Sequence, residues 1–387
     1  MPEAVIVSAR RTPIGTARKG TLRDTTAFEL ADHVVRAAAQ GLDPERVDDV
    51  ILAEGLAGGG VIARHAAITA GLQNVPGLAV NRHCAASLSA VAIAAGSIRS
   101  GMDDLIIAGG ASSGSTAPRS KVRKVTDQGE EWVDWYSPTH PNRPDAPNYD
   151  MSLTIGWGAA LAANVTRREM DSWALRSHRN AIRAIDEGRF ADEIVPIQTP
   201  HGLFATDEHP RRDTTLEKLA ALKVLHPEIE GFSITAGNAC GSNDGAAALV
   251  VASDAMAAEL GKAPLAIVRS WASVGVDPKE TWSAPVQAIP KALKRAGLSV
   301  GDVTLFEINE AFASMCVACV RILDIDPGKV NVNGSGCSIG HPIAATGGRM
   351  LATLIYQLRR QGGGLGVAAM CAGGGMGGAI VIEVPVS

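Results

Sequence analysis

The sequence predicts an α/β protein built from two related halves. Three observations carry this expectation. First, the chain opens with short apolar runs at 4–8, 50–53, 78–80 and 105–108. Helical patterns at 26–40, 61–70 and 85–99 lie between them. Strands alternating with helices imply an α/β fold with a largely parallel sheet. Second, the pattern returns: Asp49 to Glu54 is echoed by Asp302 to Glu307, each behind an amphipathic helix. Asn81 and Cys84 precede a small-residue helix and a strand, as Asn333 and His341 precede a helix over 345–359 and a strand over 365–370. The same order at similar spacing points to duplication. Third, residues 116–231 break the pattern with a basic run (Arg119, Lys121, Arg123, Lys124), an aromatic cluster (Trp132, Trp135, Tyr136) and a Pro/Asn-rich stretch over 137–148. A charged helix over 167–187 is its most regular piece. The expected division is 1–115 for the first half, 116–231 for an insertion, 232–255 for the return, and 256–387 for the second half.

Composition narrows the function classes. Of 387 residues 42 are glycine, against 6 Phe, 6 Trp and 3 Tyr, so small and aliphatic side chains must fill the core. A net charge of −4 argues against a broad nucleic-acid or membrane-binding face, while leaving room for a local basic patch. Six scattered cysteines do not resemble a disulfide framework. No signal peptide and no apolar stretch of roughly 18 residues is visible. The expectation is a soluble, cytoplasmic protein with no bound metal.

Four positions carry candidate chemistry. Cys84 sits at a strand-to-helix junction, where a helix N-terminus stabilises a thiolate and lowers its pKa; an inert core cysteine is the alternative. His83 beside it reads as a packing neighbour. His341, between Gly340 and Pro342, suits a base that activates a thiol, or a helix cap. Cys371 opens Cys-Ala-Gly-Gly-Gly after a buried strand, and the glycines bare backbone N–H groups for an oxyanion or phosphate. Asn309 either caps a helix or orients a water toward a carbonyl. Cys316 and Cys319 have the spacing of a metal pair but lack a second pair, so core packing is preferred. Gly58–Gly60 and Gly362–Gly364 read as turns.

Taken in order, Arg11-Thr12-Pro13-Ile14-Gly15, the Cys84 junction, Thr235-Ala236-Gly237-Asn238-Ala239, Asn243-Asp244-Gly245-Ala246-Ala247, Asn309-Glu310-Ala311-Phe312, Gly340-His341-Pro342 and Cys371-Ala372-Gly373-Gly374-Gly375 resemble thiolases. The resemblance spans nearly the whole chain. It implies the thiolase fold, a five-layered αβαβα core with an inserted loop domain. It also implies ping-pong acyl transfer between acyl-CoA and coenzyme A, with coenzyme A a co-substrate and no permanently bound cofactor. Cys84 would hold the acyl group and His341 would activate it. Cys371 would move the α-carbon proton. Asn309, through a water, would complete one oxyanion site with His341, and the N–H groups of Cys84 and Gly373 would form the other. Arg211, Cys240, Ala236 and Gly237 would contact coenzyme A. A homodimer or homotetramer is implied.

The chain also departs from the family. Ser87 stands where glycine is usual, and Cys240 where a serine usually meets the pantetheine. Thr154-Ile155-Gly156, followed by Trp157, replaces His-Met-Gly, and Thr281-Trp282-Ser283-Ala284-Pro285 replaces Met-Gly-x-Gly-Pro. These departures leave two alternatives beside a thiolase. One is a ketoacyl-synthase-like enzyme, against which Cys371 argues; the other is a CoA-binding protein with impaired catalysis.

Overall fold

The computed structural model describes residues 2–55, 57 and 59–386. Gly58 lies outside the described residues, and with it part of the expected Gly58–Gly60 turn. In the first half the chain runs through β1 (Ala4–Arg11), β2 (Gly15–Thr16), α1 (Ala27–Ala39), β3 (Asp49–Ala53), α2 (Ile62–Thr69), β4 (Gly77–Val80), α3 (Ala86–Ser100) and β5 (Leu105–Ser113). Each expected element is present within a few residues. Thr26 shows why α1 starts where it does: its side chain accepts from the backbone of Glu29 while Glu29 reaches back to Thr26. Ala27, Leu30, Ala31, Val34, Val35 and Ala38 then bury one face at helical spacing.

Between the halves lie the hairpin β6 (Ser120–Thr126) and β7 (Gly129–Trp135), a π-helical turn Ser152–Trp157, α4 (Gly158–Ala162), α5 (Arg167–Asp186), β8 (Ile197–Thr199), β9 (Gly202–Phe204) and α6 (Leu216–Ala220). Lys121 and Arg123 pair across the hairpin with Asp134 and Glu130, at 4.0 and 2.6 Å, so that basic run is a solvated charged face. The chain continues as β10 (Asn243–Ser253), α7 (Asp254–Glu259), β11 (Ala266–Gly275), α8 (Ala284–Arg295), β12 (Leu305–Ile308), α9 (Ala313–Ile322), α10 (Thr346–Arg360), β13 (Gly364–Ala372) and β14 (Met376–Val384).

The two halves repeat one strand order. It is β1-β10-β5-β3-β4 in the first and β11-β14-β13-β12 in the second, where a parallel bridge from Phe306 to Val330 extends the edge. A short seam, Val5 and Ile6 against Ile267 and Ala266, joins the two sheets. The sheets are not largely parallel, as the alternation predicts. β10 lies antiparallel between β1 and β5, and β14 lies antiparallel between β11 and β13. The turn Gly373–Gly375 between β13 and β14 is too short for a crossover, so those strands must form a hairpin. Gly374 and Gly375 have φ of 84° and 76°, where a side chain would be strained.

Side chains alternate between layers at strand periodicity. Ala246, Ala248 and Val250 of β10 pack outward with α1 and α2, whereas Leu249 and Val251 pack inward with α3 and α10. The outer face of the second sheet is covered by α8 and α9. The layers are therefore helix, sheet, helix, sheet, helix, with α3 and α10 innermost. Among the described residues no helix is long and apolar enough to cross a membrane.

Candidate active site

Cys84 occupies a single 3-10 turn, His83–Ala85, between β4 and α3. Arg82 fixes the approach by donating to Ser89 Oγ at 2.8 Å and Ser273 Oγ at 2.5 Å. Burial pushes the Cys84 thiol up to about 11, although the backbone N–H groups of Gly373 and of Cys84 itself point at the sulfur and pull the other way. This corrects the lowered pKa expected from the helix N-terminus: desolvation outweighs the backbone N–H groups at the sulfur, so Cys84 rests as a thiol. Burial also lowers the pKa of His83.

The Gly373 N–H comes from the β13–β14 turn. Cys371, at the end of β13, is fully buried, and its thiol is held far above the ordinary range by burial and then by Cys84, Cys319 and Cys240 nearby. The inserted region covers this turn. A Cβ on Gly373 would lie 3.4 Å from Met151 Sδ, and one on Gly374 would lie 2.7 Å from Thr139. Thr281 Oγ1 accepts from the Gly375 N–H at 3.0 Å.

Asn309 follows β12, and its N–H donates to the Ala369 carbonyl two residues before Cys371, at 3.0 Å. Glu310 anchors it from behind. That buried carboxylate accepts from Trp173 Nε1, Ser177 Oγ, Asn331 Nδ2 and the Cys337 N–H, at 3.0, 2.5, 2.9 and 3.2 Å. Cys316 and Cys319 are fully buried in α9, with Cys316 Sγ 3.6 Å from the carbonyls of Ile308 and Asn309. They serve packing, as preferred above.

Asn309 Nδ2 lies 3.4 Å from His341 Nε2, and Asn309 Oδ1 is buried without a partner among the described residues. Burial, reinforced by Arg349, pushes the His341 imidazole down to about 3, so the ring is neutral at physiological pH. The His341 N–H donates to Asn243 Oδ1 at 2.9 Å, and Asn243 Nδ2 donates to the Gly15 carbonyl at 3.0 Å. The segment before Asn243 stitches the two loops together: Ala239 bridges to Phe312 and Ser242 to His341. Cys240 lies within it, donating its N–H to the Ala311 carbonyl at 2.9 Å, its thiol pushed up to about 12 by burial and by Cys84.

The structure thus brings Cys84, Gly373, Cys371, Asn309, His341 and Cys240 around one locus. The remaining predicted positions lie at its margin. Ala236 is exposed and Gly237 half-buried on the turn before Asn238. Arg211 is exposed and its backbone N–H donates to His178 Nδ1 at 3.1 Å. Its guanidinium makes no ion pair among the described residues. His209, two residues earlier, packs against Gly241 beside Cys240. Trp157 meets Phe232 in a tilted pair with ring centroids 5.2 Å apart, and Trp282 lies against Gly158; both pack on the second half's outer core.

Sequence reasoning missed several supporting residues. Ser87, noted only as a departure, is fully buried and accepts the Gly348 N–H of α10 at 3.1 Å, which ties the two innermost helices together. Asn243 and Thr346 flank His341, and Met151 covers Gly373. Asn243 stood in a recognised motif without a role; nothing local marked Ser87, Thr346 or Met151.

Comparison with known proteins agrees with this geometry. The family of thiolase N-terminal domains matches residues 4–255, and that of thiolase C-terminal domains matches residues 262–384. A Bacillus subtilis 3-ketoacyl-CoA thiolase is 39% identical over 416 residues, covering 99% of this chain and 100% of that protein. A Pseudomonas aeruginosa acetyl-CoA acetyltransferase is 42% identical over 403 residues, covering 99% of each. The crystal structure of the Bacillus anthracis acetyl-CoA acetyltransferase superposes with a TM-score of 0.91 at 38% identity over 99% of each chain. With two related halves, a shared locus at the innermost helices and these relatives, the chain belongs to the thiolase family.

Proposed function

We propose that the protein is an acetyl-CoA C-acyltransferase that transfers acyl groups between acyl-CoA and coenzyme A through acyl-Cys84. The observation that carries this reading is the juxtaposition at one locus of a thiol met by the Gly373 N–H and a neutral His341 facing Asn309. In the first half-reaction Cys84 Sγ attacks the thioester carbonyl and its proton passes to His341 Nε2. The bond to the coenzyme A sulfur breaks, and that sulfur leaves with the proton. In the condensing direction Cys371, once its own proton has passed to solvent, removes as a thiolate the α-proton of a second acetyl-CoA. The carbanion attacks the acyl-Cys84 carbonyl, the bond from that carbon to Cys84 Sγ breaks, and the departing Cys84 thiolate takes the proton from Cys371. Thiolysis is the reverse. A resting thiol beside a neutral base suits this sequence, because charge develops only when the oxyanion donors receive it.

Arg211, Ala236, Gly237 and Cys240 are proposed to line the approach of coenzyme A, within a loop domain over 116–231 set between core segments 1–115, 232–255 and 256–387. The exposed Arg211 guanidinium, without an ion pair among the described residues, suits the phosphates of the substrate. No resident cofactor is needed for this chemistry. Trp157 and Trp282, where the chain departs from the family, are the residues proposed to bear on the choice of acyl group. A cytoplasmic homodimer or homotetramer is proposed, supported by the edge position of β4, which leaves Leu78 42% exposed just ahead of Cys84.

The test is intact-mass spectrometry after incubation with acyl-CoA donors of graded length and branching. The wild type is expected to gain one acyl group, and Cys84→Ala none. Cys371→Ala is expected to acylate yet neither condense nor cleave. Absence of any adduct and of thiolysis with every donor would sink the proposal.

A further inference from the structure

We propose that Thr346 is a positioning residue that fixes the tautomer of His341, leaving Nε2 as the bare nitrogen that faces the reacting groups. The inference deepens the reading of His341 as the base and rests on it. Among the described residues the ring nitrogens have two hydrogen-bond neighbours. Nδ1 lies 2.6 Å from Thr346 Oγ1, and Nε2 lies 3.4 Å from Asn309 Nδ2. The Thr346 hydroxyl also lies 2.9 Å from the Pro342 carbonyl, which can only accept. A hydroxyl has one proton. Donated to Pro342, it leaves the oxygen to accept from Nδ1–H. A neutral imidazole carries one N–H, so Nε2 is unprotonated and accepts from Asn309 Nδ2.

The same logic orients the Asn309 amide. Its nitrogen faces the ring, and its buried Oδ1 is turned to where no group among the described residues donates. Local folding accounts for the arrangement. Thr346 is the first residue of α10, and the Pro342 carbonyl already receives the N–H groups of Ala345 and Thr346 at 2.8 and 3.0 Å. That turn brings the hydroxyl onto the histidine five residues back. Asn243 holds the histidine backbone while Thr346 holds the ring, so both position and protonation are set from outside the ring.

The consequence for proton transfer is direct. When Cys84 loses its proton, Nε2 is the unprotonated nitrogen that takes it, the long 3.4 Å contact from Asn309 Nδ2 giving way, and the imidazolium that forms keeps Nδ1–H on the threonine oxygen. Without the hydroxyl the buried Nδ1–H has no acceptor. The other tautomer, with Nε2 already protonated, then competes, and it cannot take the cysteine proton.

Two measurements test this. In long-range proton–nitrogen spectra of histidine-labelled protein near neutral pH, identified by the loss of signals in His341→Asn, wild type should show Nδ1 protonated and Nε2 bare. Thr346→Ser should keep that pattern and Thr346→Val should lose it. Wild type with Nε2 protonated overturns the proposal. In single-turnover acylation by acetyl-CoA, Thr346→Val should be slowed by about a hundredfold, with half-saturation by the donor unchanged, and Thr346→Ser should stay near the wild-type rate. Equal slowing of both variants, or no slowing of either, also overturns it. Should wild type form no adduct, the proposed function fails while the spectra still decide the tautomer; should Thr346→Val not fold, wild type and Thr346→Ser still decide it.

Discussion

Ser87 shows how one buried hydroxyl changes meaning once its partner is known. The Gly348 N–H belongs to the first turn of α10, where no neighbour in the helix can accept it, and no side chain caps that helix from its own N-terminus. Ser87 supplies the acceptor from 261 residues away. Ser87→Ala should therefore cost about 1–3 kcal/mol by leaving a buried donor unpaired, read as a lower midpoint in urea unfolding. Acylation of Cys84 should persist in the folded variant. An unchanged midpoint would show that the bond contributes nothing. At this scale the sequence made Cys84, His341, Asn309 and Cys371 legible, because their motifs are local. Ser87, Glu310 and Thr346 were not legible, since each acts through a partner that only folding supplies. The Cys84 pKa was misjudged for a related reason: a helix end is visible in sequence, but the depth of burial that opposes it is not.

Among the elements, the π-helical turn Ser152–Trp157 and its flank connect the inserted region to the reacting groups. Asp150 accepts from the Ser152 N–H and hydroxyl at 3.0 and 2.5 Å, and it also meets His226 Nε2 at 2.8 Å. His226 Nδ1 meets Glu228 at 2.8 Å. Its pKa is raised above 6.5, first by the hydrogen bond to Glu228 and also by Asp150, so the folded state binds the proton more tightly than the unfolded chain. The resulting stabilisation is complete below the unfolded value and is lost as pH rises through the folded one. The stability gap between wild type and His226→Gln should accordingly be wider in mild acid than in mild alkali, measured by urea unfolding at both. A gap that widens with pH would contradict the assignment. The Ser152–Trp157 turn escaped the sequence reading because a π turn follows neither helical nor strand periodicity. By contrast α1 and α5, each opened by a threonine and glutamate three residues apart, were legible to within a residue or two.

Across the whole molecule the halves meet through backbone, with little room between them. A Cβ on Gly110 of β5 would lie 2.1 Å from the Ala344 carbonyl and 2.7 Å from the Ala53 side chain. Gly110→Ala must separate the first sheet from the loop that carries His341. We expect destabilisation of about 1–3 kcal/mol or more and slower acylation of Cys84, checked by unfolding and single-turnover assays on the same sample. Wild-type behaviour in both would mean that the halves can slide apart freely. The duplication itself was legible, since Asp49 to Glu54 and Asp302 to Glu307 become the equivalent strands β3 and β12. The antiparallel strands β10 and β14 were not, because a strand's direction depends on its partners and not on its own residues.

The innermost position of α3 and α10 has a consequence for how such a protein changes over time. Cys84 and His341 stand just ahead of two shielded helices, joined by Ser87 and braced by Gly110, and Cys371 ends the strand β13. Thr139 and Met151 hang on a separate segment laid over the Gly373–Gly375 turn. Mutation can therefore rework the covering segment, on which the choice of acyl group is proposed to rest, while the geometry of Cys84 and His341 beneath stays as it was: on that reading selectivity and reactivity are inherited on different parts of the chain.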